Sequence, residues 1–67
     1  MANQRHYDFV GRYFAWQHLP DHLQNVSRPF GELANTLVSL PVTDEAELMV
    51  ALRKLLEAKD CAVRSVL

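Results

Sequence analysis

The chain has 67 residues, seven lysines and arginines against eight acids, and a formal charge of −1. A chain this short hides only about 60% of the surface its unfolded form exposes, and one cysteine with three scattered histidines excludes an internal disulfide frame and a structural zinc set. Self-association is the remaining way to stabilise it. The near-neutral charge argues against a protein that coats duplex DNA or an anionic membrane. No run approaches the roughly 20 apolar residues of a membrane span, and Met1 to His6 lacks the apolar core of a signal peptide, so the expected compartment is the cytoplasm.

The first twenty residues are the least regular. Arg5 to Phe14 has the composition of a short helix, opposed by Gly11 and a dense run of aromatics, and His6 reads as a surface residue. Gln17 to Pro20 reads as extended. From Asp21 to Leu40 the pattern is strong: Leu23, Val26, Phe30, Leu33, Leu37 and Leu40 alternate spacings of three and four, one face of a helix. Asp21 with Gln24 reads as a capping box at its start, and Pro41 ends it. Pro29 lies inside, where it removes an amide bond to Asn25, so a kink is expected between Asn25 and Pro29. The competing reading begins a fresh helix there with Ser27 as N-cap.

A further helix starts at Thr43 or Asp44, with Asp44 and Glu47 spaced as a capping box, and runs to residue 66. Leu48, Leu52, Leu55, Ala62 and Val66 form its stripe, flanked by Met49, Leu56 and Val63, an arc wider than one partner helix needs. Arg53 with Glu57, and Asp60 with Arg64, are spaced for ion pairs on the polar side. Pro41, Val42 and Thr43 permit only a tight return. The expected fold is therefore a single all-α domain, an antiparallel helical hairpin with a short N-terminal helix or extended arm, assembling into a homo-oligomeric bundle. Its divisions are 1–20, a kinked helix over 21–40 and a C-terminal helix over 44–66.

The unusual stretch is Arg12 to Pro20, which places Tyr13, Phe14, Trp16, His18 and the Arg12 guanidinium just before a helix. Aromatic faces beside a cation are the parts of a stacking slot for nucleobases; the competing reading is packing, favoured for Tyr13 and Phe14 and evenly balanced for Trp16. Pro20 separates His18 from His22 and spoils a two-histidine metal site. Ser27 and Arg28 lie at the expected kink, where freed backbone groups and a guanidinium suit a phosphate, or where Arg28 is simply a solvated cation. Lys54, Lys59 and Arg64 point away from the apolar stripe. Cys61, with no basic neighbour, reads as a small buried hydrophobe. No acid pair, triad, glycine-rich loop or metal cluster is present, so catalysis is not expected and no cofactor is called for.

The order of these pieces resembles the phage anti-CBASS sponges. It is carried by Arg12 to Pro20, Glu32-Leu33-Ala34, Leu40-Pro41 and the run Ala51 to Ala58, and it covers the chain from Arg12 onward. The resemblance implies a small helical hexamer that sequesters cyclic di- and trinucleotide immune signals in the bacterial host cytoplasm without cleaving them. It implies that Trp16 stacks on the bases of a cyclic dinucleotide and that Arg28 meets phosphate. The final helix departs from the family: Lys59-Asp60-Cys61-Ala62-Val63 stands where a Trp-Ala-Asn segment often follows Glu-Ala. That departure falls on any second, cyclic-trinucleotide pocket, for which Arg64 is the nearest cation. The rival reading is a helical protein-protein interaction module with no nucleotide ligand; a small nucleic-acid-binding regulator is disfavoured by the acidic balance.

Overall fold

Asn3 opens the first helix by a local exchange of hydrogen bonds. Its side-chain oxygen accepts the Arg5 amide at 2.9 Å, and His6 Nδ1 accepts the Asn3 amide at 3.0 Å, a reciprocal cap in which an imidazole stands where Glu or Gln is usual. The computed structural model describes Met1–Leu67 and contains three helices and no strand: α1 Gln4–Tyr13, α2 Asp21–Val38 and α3 Glu45–Ser65. The all-helical class expected from the pattern is the one observed, and the segment read as a short helix or an arm is a helix.

The helix boundaries follow local chemistry, with corrections. Asp44 caps α3 by accepting the Glu47 amide at 2.9 Å, as its spacing implies. Asp21 and Gln24 form no cap: Pro20 is the N-cap of α2 and offers no side-chain bond. Gln24 instead donates from Nε2 to the carbonyls of Gln17 and Leu19, at 3.0 and 2.8 Å. Those carbonyls are presented because residues 17–19 turn rather than extend, with the Leu19 amide bonding back to the Trp16 carbonyl at 3.1 Å. Pro29 lies within one unbroken helix, so the reading with a fresh start at Ser27 is set aside. α2 stops at Val38, two residues before Leu40, where Ser39 Oγ donates to the Asn35 carbonyl at 2.9 Å.

All three helices contribute to one core of Val10, Phe14, Ala34, Val38, Leu48 and Leu52. The face of α2 that turns inward is not the stripe of large residues. Ser27, Gly31, Ala34 and Val38 are the buried positions of this helix, spaced four, three and four. Small side chains let the neighbouring segments approach closely, while Leu33 and Leu40 are displaced to the flank, 47% and 46% exposed, and Phe30 and Leu37, partly buried, pack against the core. Only nine of the 67 residues are buried, so the chain's own core is as thin as its length implies.

α1 is held to the rest by side-chain bonds to backbone carbonyls. Tyr7 donates its hydroxyl to Val38 at the end of α2 (3.3 Å), and Lys59 of α3 donates to Tyr13 at the end of α1 (2.6 Å). Lys59 is therefore not a solvated cation; its ammonium also lies 5.6 Å from the Phe14 ring centroid. His6 is 2% exposed rather than on the surface. Because its Nδ1 accepts from Asn3, the proton is assigned to Nε2, which donates to the Glu45 carbonyl at 2.9 Å. One ring thus caps α1 and ties it to the first turn of α3.

Two other expectations are corrected. The ion pairs present are Arg28 with Glu32 at 3.2 Å and Lys59 with Asp60 at 3.8 Å, so neither Arg53 with Glu57 nor Asp60 with Arg64 forms. Cys61 is exposed, not buried, and it does have a basic neighbour, since Arg64 donates to its sulfur at 3.3 Å. Replacing His6 by Ala strands the Asn3 amide and the Glu45 carbonyl and opens a gap beneath α1. The expected loss is about 2 to 4 kcal/mol, measured as a lowered urea midpoint with the slope unchanged.

Candidate functional site

The path from α1 to α2 is built around two aromatic residues. Phe14, 2% exposed, closes α1 through its amide, which bonds to the Val10 carbonyl at 2.9 Å, and its ring sits in the core. Two residues on, Trp16 is partly buried and lies across α2 at Gly31. A β-carbon added at Gly31 would stand 2.7 Å from Trp16 Cδ1 and 2.8 Å from the Phe14 carbonyl oxygen. The glycine is there because the indole and the chain leading to it occupy that space; no left-handed backbone is involved. Gln24 fixes the turn just after Trp16, so the indole is positioned from both sides.

Arg28, one turn before Gly31, brings its guanidinium carbon to 5.1 Å from the Trp16 ring centroid, within reach of a cation-π interaction. Glu32 steadies the same guanidinium through Nε at 3.2 Å. Both partners of that ion pair are more than half exposed, so its contribution to stability is small, on the order of 0.5 kcal/mol; its effect is orientation. Beside the indole opens a cavity of about 240 Å³ lined by Tyr7, Val10, Phe14, Trp16, Gln17 and Asn35.

The six residues singled out by sequence fall into separate places. Trp16 and Arg28 meet. Ser27 and Arg64 meet elsewhere, in a cavity of about 250 Å³ between the start of α2 and the end of α3 that also includes Leu23, Lys59, Asp60 and Val63; Ser27 is 2% exposed there. Arg12 stands in a groove between α1 and α3. His18 is exposed in the turn after Trp16. Nothing in the geometry joins these into a single pocket within one copy of the chain.

Sequence reasoning passed over Gly31, Gln24 and Asn35. Gly31 carried a signal, since a glycine inside an otherwise regular helix weakens it and points to close packing; Gln24 was read as a cap, and Asn35 carried none. Substituting Gly31 with Ala should push the indole off α2, because the opposing Phe14 carbonyl is backbone and has little freedom to yield. The expected outcome is a loss of about 1 to 3 kcal/mol in stability together with a red-shifted tryptophan emission; an unchanged spectrum would mean that Trp16 does not rest on Gly31. In comparisons with known proteins, no family model matches the chain, and neither does any curated protein or solved structure.

Proposed function

We propose that this chain is a sponge: a non-catalytic, phage-encoded protein that binds cyclic di- or trinucleotide immune signals in the bacterial host cytoplasm and holds them without cleavage. The observation that carries this reading is the Trp16 arrangement, an aromatic face held on the Gly31 shelf with the Arg28 guanidinium over it. A ligand made of flat bases and phosphates suits such a pair: its phosphate draws the Arg28 guanidinium off the indole, and a base takes the ring face that the guanidinium leaves. Sequestration needs no group that activates water, and the resemblance carried by Arg12 to Pro20 and the run Ala51 to Ala58 points the same way.

In this reading α2 and α3 form an antiparallel hairpin, joined through residues 39–44, and copies of it assemble, as a hexamer if the resemblance holds. Two features support it. Leu23 and Ser27 near the start of α2 share a cavity with Val63 and Arg64 at the end of α3, the juxtaposition that opposite helix directions produce. Along the stripe of Val26, Phe30, Leu33, Leu37 and Leu40, with its alternating spacings of four and three, Leu33 and Leu40 stay nearly half exposed in a single copy, which suits packing against a like helix. Pockets between copies would also bring together residues that one copy keeps apart. No helix is long and apolar enough to cross a membrane.

The same uncovered stripe is the observation that favours the rival, a module that binds another protein and no nucleotide. Calorimetry with a panel of cyclic di- and trinucleotides separates the two. The sponge reading expects heat with at least one member and a loss of about 1 to 3 kcal/mol of binding per stacked base in Trp16→Ala. No heat with any member overturns it. Native mass spectrometry should give an oligomer that Leu33→Asp with Leu40→Asp reduces to single chains, since each carboxylate would have to enter an apolar contact.

A further inference from the structure

Three arginines, none of them in an ion pair, face the same groove. It lies between α1 and α3, has a volume of about 830 Å³, and is lined by Arg5, Phe9, Arg12 and Tyr13 from α1 and by Met49 and Arg53 from α3. Arg5, Phe9 and Arg12 are spaced four and three, and Met49 and Arg53 four, so the arginines of each helix share a face with an apolar side chain, while Tyr7 and Gly11 extend the lining around α1. A second hollow of about 510 Å³ shares Arg5, Met49 and Arg53 and continues the groove toward Glu45. The volume is of the size that small-molecule sites have, roughly 300 to 1,000 Å³.

These cations are not explained by the fold. Arg5 stands in the first turn of α1, where the helix dipole disfavours a positive charge and no acid is present to offset it. Arg53 has Glu57 one turn away and makes no ion pair with it. Arg12, in the last turn, gains from the dipole but also stays unpaired. Two carboxylates share the walls, Asp8, which accepts from Gln4 Nε2 at 2.7 Å, and Glu45; against three arginines they leave a net charge of +1 over the two hollows. Arg5 and Arg12 are seven residues apart, about 10 Å along the helix, so the cations are spread along the groove. Tyr13 is 41% exposed at the Arg12 end of the groove, its ring 4.8 Å from that of Phe9.

We infer that the α1–α3 groove binds a short linear oligonucleotide, with one phosphate on Arg5 and Arg53, the next at Arg12, and a base on Tyr13. The ligand must carry at least two anionic groups and a flat ring, and it must be narrow enough to lie along one helix. The groove shares Tyr7 and Gly11 with the cavity beside Trp16, but Arg5, Arg12 and Arg53 do not line that cavity, so binding at the arginines does not depend on what Trp16 binds.

The test is a nitrogen-15 amide titration of the full chain with a 5′-phosphorylated linear diadenylate. A cyclic diadenylate and inorganic pyrophosphate are titrated in parallel. The expected result is shifts at Arg5, Tyr13 and Arg53. Binding should weaken at least about tenfold in Arg5→Ala with Arg53→Ala and also fall in Arg12→Ala, and affinity should drop with added salt. Helical circular dichroism of the variants shows whether they fold, and Arg12→Ala, at the far end of the groove, serves should the double variant fail. Absence of shifts at millimolar ligand overturns the inference. So do affinity unchanged by the arginine substitutions, equally tight binding of pyrophosphate, and shifts confined to Trp16 and Gly31. The Trp16 indole signal with the cyclic ligand is read in the same titrations, so either site can fail without the other.

Discussion

Close approach along the small-residue face of α2 is what the rest of this molecule depends on. Ser27, Gly31, Ala34 and Val38 are the positions of that helix that become buried, and with so little side chain between them and their neighbours the packing is governed by backbone proximity. The Phe14 carbonyl and the Trp16 indole both reach α2 at Gly31. Large residues at those positions would hold the connecting segment away, and neither Phe14 in the core nor Trp16 beside Arg28 would be where it is.

The same constraint decides what is left outside. A helix has a limited circumference, and α2 uses its inward arc for small side chains, so Leu33 and Leu40 are turned to the flank. Burying a leucine is worth roughly 1.5 to 3 kcal/mol, and a chain with nine buried residues has few such contributions. The uncovered stripe and the thin core are thus two aspects of one packing choice, and the proposed assembly of copies answers both.

Much of the fold was legible in the residues, and the misreadings have a common cause. Helix positions followed from the 3.6-residue period, from Asp44 as a cap and from Pro41 as a stop, all local signals. The inward face of α2 was not legible, because periodicity weights large apolar residues and is silent about glycine and serine that pack by being small. Gln24 matched a capping pattern, yet the turn after Trp16 presented it with better-placed carbonyls. His6 and Lys59 looked like surface residues because their partners, the carbonyls of Glu45 and Tyr13, lie 39 and 46 residues away. Of the candidate site, an aromatic beside a cation was legible at Trp16, but with Arg12 of the same stretch as the cation; Arg28, read only as a phosphate contact, is the guanidinium that lies over the indole. The division of Ser27, Arg64, Arg12 and His18 among other places was not legible, since it depends on which face each helix turns inward.

The three bonds that hold α1 also bear on the order in which the molecule is completed. Ten residues are too few for a helix to persist alone in water, and the groups that secure α1, the carbonyls of Val38 and Glu45 and the ammonium of Lys59, are all encoded after it. During synthesis α1 leaves the ribosome before α2 and α3, so a segment made ahead of its partners has its last fastening only when the far end of α3 supplies Lys59.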